Sequence, residues 1–144
     1  MRIAIASDHA GYELKEHVKA SLAAAGHDVV DVGPDSDESV DYPVYAAPAA
    51  RLVAEGDAER GVLVCGSGVG VSIVANKVPG VRAVNAHDAE EAQLARAHND
   101  VNVVALSGRR LAGEQADAIV EAFLGGSFEG GRHARRVAAI EPQS

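Results

Sequence analysis

A single cysteine, Cys65, stands between an apolar run and a cluster of glycines in VLVCGSGVGVSIVANK, residues 62–77. Gly66, Ser67, Gly68 and Gly70 follow it, and an amphipathic segment begins at once. Backbone N–H groups in such a turn, at the start of a helix, converge on negative charge with help from the helix dipole. The same setting favours a thiolate, which can act as a nucleophile or a base. Amides beside it suit a reaction that develops charge on oxygen. Two plainer readings stand alongside: a tight turn without a ligand, and a cysteine that serves as a small buried hydrophobe. Familiar phosphate motifs fit poorly. A GxGxxG pattern from Gly66 would need glycine where Val71 stands, although Asp88 has the spacing of a ribose-binding acid. A P-loop needs Gly-Lys-Ser/Thr, and Lys77 comes too late.

Three further stretches carry proton- and anion-handling groups. RAHNDVN, residues 96–102, places His98 at the end of a helical pattern. There it can complement the dipole, with Asn99 as left-handed cap, or move protons near neutral pH. DHAG, from Asp8, offers a helix-capping carboxylate and a turn histidine, or two polar contacts for a ligand. In GGRHARR, Arg132 and Arg136 are four apart and share one helix face, beside His133 and Arg135. Cations at a helix N-terminus oppose the macrodipole, so the cluster asks for an anion or for acidic groups of a partner. Guanidinium forks favour phosphate, and Arg109 can add to the same charge.

These residues must be positioned by a scaffold, and the pattern between them describes one. RIAIAS (2–7), DVVDVG (28–33), GVLVC (61–65), VRAVNA (81–86) and VNVVAL (101–106) read as strands. Helical patterns follow at 12–26, 44–56, 70–77, 88–98 and 112–125, with a terminal helix over 130–141. Pro48 would have to lie in the first turn of its helix or kink it. Continuous Val/Ile/Ala runs predict strands covered on both faces, hence a Rossmann-like three-layer αβα sandwich on a parallel sheet of about five strands. Ligands bind beyond the carboxyl ends of such strands. Ser7–Asp8–His9, Cys65–Ser67 and Ser107–Arg109 are all expected there.

Composition narrows the functions further. The 144 residues suit one domain, 1–144, and aromatics at 3% leave the core to Val, Ala, Leu and Ile. A net charge of −8 argues against nucleic acid and anionic membrane as partners, and favours a small phosphorylated metabolite held by a local basic cluster. One cysteine excludes an internal disulfide and a multi-cysteine metal site. No apolar run reaches the roughly 20 residues needed to span a bilayer. A cytoplasmic location is expected.

SDHAGYELK, DYP, CGSGVGVSIVANK, HNDVN and GGRH with Arg136, in this order from about residue 2 to about residue 140, resemble the sugar-phosphate isomerase family that holds ribose-5-phosphate isomerase B and galactose-6-phosphate isomerase subunits. The resemblance implies an aldose–ketose isomerase of carbohydrate metabolism without metal or cofactor. It also implies a homodimer or dimer of dimers with active sites at the subunit interface. Matched residue by residue, Cys65 falls on the catalytic base and His98 on the acid/base that opens the sugar ring. Gly66, Ser67, Gly68, Val69 and Gly70 fall on the amide cradle. Asp8, His9, Tyr42 and Asn99 match sugar contacts, with Asp8 assisting at the ring oxygen. Arg109, Arg132 and Arg136 match contacts to the phosphate. Position 67 is often Thr in the cysteine-containing branch, and Ser67 keeps the hydroxyl. Another branch uses Glu where Val71 stands, so the thiolate chemistry is the one expected here. Hexose 6-phosphates and tetrose phosphates are the alternative substrates, and a non-catalytic nucleotide-binding module is the alternative of a different class.

Overall fold

The computed structural model describes residues 1–141. The chain alternates strand and helix: β1 Arg2–Ser7, α1 Tyr12–Ala24, β2 Asp28–Gly33, α2 Tyr42–Ala54, β3 Arg60–Cys65, α3 Val69–Asn76, β4 Ala83–Asn85, α4 Ala89–Asn99, β5 Val103–Ser107, α5 Gly113–Gly125 and α6 Arg132–Ile140. All strand pairs are parallel, in the order β2-β1-β3-β5-β4. The chain moves outward from β1 to β2 and then crosses back to β3, so the switch point lies between β1 and β3. Their carboxyl ends carry Asp8 and Cys65, and this is where an open parallel sheet presents a ligand crevice.

Side-chain alternation divides the core into two layers. Ile3, Ile5, Val62, Val64, Val104 and Leu106 face α1, α4 and α5, where Val18, Ala92, Ile119 and Phe123 cover them. Ala4, Ala6, Leu63, Cys65, Val103 and Ala105 face the other way, against Ala46, Ala49, Ala50 and Val53 of α2 and Val71 and Ala75 of α3. Alanine dominates this second layer, which lets the helices approach the sheet closely. The sulfur of Cys65 therefore belongs to the α2/α3 side. This is the expected three-layer sandwich.

Three local readings are corrected. Pro48 lies inside α2, past its first turn, while Pro43 occupies the first turn. Asn99 is the last residue of α4, and the left-handed cap is Asp100, with φ of 49°. An aspartate tolerates this conformation better than most residues. Asp88 is engaged as the N-cap of α4, taking the Glu91 N–H at 2.8 Å. That use of its carboxylate removes the main support for a ribose-binding role.

Candidate active site

The glycine turn is built by backbone pairing with its neighbours. Asp8 N–H donates to Val64 C=O at 3.1 Å, Gly108 N–H to Cys65 C=O at 2.8 Å, and Arg109 N–H to Gly66 C=O at 3.1 Å. The Ser107 hydroxyl, buried, donates to the same Gly66 carbonyl at 2.6 Å. Loops after β1, β3 and β5 are thus locked into one surface. Gly68 has φ of 78°, and a Cβ there would lie 2.3 Å from Asn85 Oδ1, so only glycine fits. The turn directs its amides inward: Gly68 N–H donates to Cys65 Sγ at 3.2 Å, and Val69 N–H to Ser67 Oγ at 3.1 Å. Cys65 itself is 4% exposed, so it is both part of the core layer and hydrogen-bonded at the mouth of α3.

Other expected residues surround this turn. The Tyr42 ring lies over Gly70, where a Cβ would be 2.7 Å from Cζ. The Arg109 guanidinium lies across Gly66, 3.0 Å from where a Cβ would be. Asp8 is buried and accepts the Gly11 N–H at 2.9 Å. Gly11 must be glycine for packing, because a Cβ would meet the Val64 carbonyl at 2.6 Å. His9 Nδ1 lies 3.2 Å from both polar backbone atoms of Val40. Asp8, His9, Tyr42, Cys65, residues 66–70 and Arg109 therefore form one constellation at the carboxyl edge of the sheet. A groove of about 570 Å³ between α1 and α5, lined by Val18, Leu22, Val120 and Leu124, shares no residue with it.

His98, Asn99, Arg132 and Arg136 are elsewhere. α4 begins at the carboxyl edge and runs back, so its last residues reach the amino edge. Asn99 C=O accepts from Arg82 Nε at 3.2 Å, and Arg82 directly precedes β4. Six residues of β3 span about 20 Å at roughly 3.3 Å each, and eleven residues of α4 span about 16 Å. Within one chain the histidine and the thiol face opposite ends of the sheet.

Around His98 the structure brings His133, read in the sequence only as part of the basic cluster, and Glu129, which sequence reasoning missed. His133 stacks on His98 with ring centroids 4.5 Å apart and planes at 17°. Glu129 Oε1 lies 3.8 Å from Nε2 of each. Burial, with the nearby charges of His98 and Arg132, holds the His133 imidazole below its ordinary value, while Glu129 pulls the other way. His98, Glu129 and His133 present ligand atoms all within 4.8 Å of one another. A divalent cation would need these to close in. However, the rings are stacked face to face, and Arg132 Nε reaches His133 Nε2 at 3.4 Å. With Arg135 and Arg136 on the same short helix, the surroundings suit an anion better. No motif spacing links Glu129 to His98, because the contact arises from α6 docking on α4, with Glu129 N–H bonded to Ala97 C=O at 3.0 Å.

The chain is 48% identical over 139 residues to ribose-5-phosphate isomerase B of Escherichia coli, covering 96% of this chain and 93% of that protein. A ribose 5-phosphate isomerase structure from Thermotoga maritima superposes with a TM-score of 0.95 at 47% identity, covering 97% of each chain. Ribose-5-phosphate isomerase B from Mycoplasma genitalium, solved with bound ribulose-5-phosphate, gives a TM-score of 0.92 at 43% identity, covering 96% and 93%. Residues 3–140 match the family described as Ribose/Galactose Isomerase, and with a glycine-cradled cysteine at the switch point of the matching fold, the chain belongs to that family.

Proposed function

We propose that this chain interconverts ribose 5-phosphate and ribulose 5-phosphate, with each active site assembled from two copies. The carrying observation is the Gly68 N–H donated to Cys65 Sγ at 3.2 Å, within a turn of further amides. A base beside preorganised donors suits proton abstraction next to a carbonyl. Cys65, as thiolate, takes the proton from C2 of the open-chain aldose. The C2–H electrons form the C1–C2 double bond, and the carbonyl electrons move onto O1. Amides of residues 66–70 and the Ser67 hydroxyl hold the resulting enediolate. The thiol then returns its proton to C1, the O2 proton passes to O1, and C2 becomes the ketone carbon. His98, with Asp8, handles the proton on the ring oxygen, because the sugar arrives mainly cyclic.

The split between the two edges supports a second copy as the source of His98, Asn99, Arg132 and Arg136. The surface beside Cys65 is suited to being covered: Val44 of α2 is 61% exposed, and Val69 and Ile73 of α3 are 50% and 56% exposed. Apolar side chains gathered beside a polar site mark an interaction surface. An α6 from the partner would bring arginines to the phosphate, joining Arg109. Asp8, His9, Tyr42 and Asn99 then contact the sugar hydroxyls. Among the described residues no helix is long and apolar enough to cross a membrane.

The direct test is incubation of the purified chain with ribose 5-phosphate, following ribulose 5-phosphate by NMR. Formation of the ketopentose supports the assignment. Conversion of a hexose or tetrose phosphate in its place would move the substrate but keep the chemistry. Failure of all three, with no exchange of the C2 hydrogen, would overturn the reading.

A further inference from the structure

Lys15 belongs to the run SDHAGYELK yet stands behind the substrate-facing surface. It has no exposed area and, among the described residues, is the one charged side chain in the set of largest fully buried ones. A lysine ammonium is rarely taken out of water without specific partners. Here Nζ donates to Asp31 Oδ1 at 2.9 Å and Oδ2 at 3.0 Å, to Glu16 Oε1 at 3.0 Å and to the Pro34 carbonyl at 2.8 Å. The Tyr12 ring centroid is 5.2 Å away. Asp31 is fixed in turn by the Gly33 N–H at 3.0 Å and by Lys19 Nζ at 2.8 Å.

These bonds converge where the chain leaves β2. Residues 34–41 contain no helix or strand and run directly into Tyr42, the first residue of α2. α1 and the turn before it hold this segment at three points. Lys15 takes Pro34, the Tyr12 hydroxyl donates to the Asp35 carbonyl at 3.2 Å, and His9 pairs with Val40 at 3.2 Å. Gly33 also packs on Tyr45, where a Cβ would be 2.9 Å from the ring. The far end of the segment sets the place of the Tyr42 ring over Gly70. Buried ion pairs add little net stability compared with an apolar residue of similar volume, so their contribution is better sought in the conformation they select.

We propose that Lys15 is a positioning residue whose buried ammonium fixes residues 34–41 against α1 and thereby sets Tyr42 and His9 for the substrate. The idea rests on the reading of those two side chains as sugar contacts. Such contacts hold substrate and transition state alike, so loosening them raises KM more than it lowers kcat.

Lys15→Met keeps much of the volume and removes the charge. Well below its melting temperature, with ribose 5-phosphate, KM is expected to rise about five- to tenfold with kcat within about twofold. Amide exchange in residues 34–42 should quicken while β1 and β3 stay protected. A lower melting temperature with KM and exchange in 34–42 unchanged would make Lys15 merely structural and overturn the proposal. Asp31→Asn, a nearly isosteric change, serves as the milder variant should Lys15→Met not fold. A smaller shift in the same two readouts supports the proposal, and no shift in either overturns it. Tyr42→Ala separates the two layers of the argument. If it leaves KM unchanged while exchange still quickens in Lys15→Met, the sugar-contact reading fails and the positioning of the segment stands.

Discussion

Replacing one sulfur distinguishes proton abstraction from binding, because phosphate is assigned to Arg109, Arg132 and Arg136 and not to the thiol. In Cys65→Ala, kcat is expected to fall by roughly 10²–10⁴, the usual contribution of a general base. Exchange of the C2 hydrogen with solvent should stop, and sugar-phosphate affinity should persist. Continued exchange would assign the base elsewhere. His98→Asn tests the other proton. Turnover of the cyclic sugar should drop more than that of an open-chain aldose phosphate, and equal losses would remove His98 from ring opening. At this scale legibility in the sequence depended on contiguity. Cys65 and its glycines are adjacent in the chain, so the turn and its donors could be read directly. Glu129 and His133 meet His98 only after α6 docks on α4, and local sequence carries no trace of that contact.

Elements were legible where burial imposes a pattern. Arg2–Ser7 and Asp28–Gly33 coincide with the expected strands because unbroken apolar or alternating runs end at turn residues. β4, paired only with β5, keeps Ala83–Asn85 of the six residues expected. α2 starts at Tyr42, two residues before the expected start, and absorbs Pro48 in its interior. The tie between α1 and β2 was invisible, because a lysine on an amphipathic pattern reads as a solvated one. That tie carries a pH signature. Burial alone would raise the Asp31 carboxyl, but hydrogen bonds from Lys19 and Lys15 outweigh it, and the group lies below its ordinary value. A depressed carboxylate contributes stability that is fully present above the unfolded value, about 3.9, and is lost as pH falls through the lower folded value. The difference in melting temperature between the wild type and Asp31→Asn should therefore be constant above about pH 5 and shrink below about pH 4. A gap that persists undiminished in acid would show that the Asp31 charge is not what the pair contributes.

At the scale of the whole molecule, the proposed reaction requires groups at opposite edges of a sheet to meet in one site. A chain of net charge −8 that carries its basic helix at the amino edge, away from the thiol, fits the proposed assembly of each site from two copies. Under that proposal, closed two-fold association would make the sharing reciprocal, and each dimer would have two composite sites. This gives a test that needs no structure of the complex. Cys65→Ala and His98→Asn are each expected to be nearly inactive alone. Co-refolded in equal amounts, half of the dimers should contain one of each chain. In every mixed dimer one site collects both substitutions and the other collects neither. Activity should then return to about a quarter of wild type under random pairing. A dimer of dimers gives the same fraction, since each composite site still draws on one pair of chains. If both groups acted from a single chain, no pairing could restore a complete site, and the mixture would stay as inactive as its components.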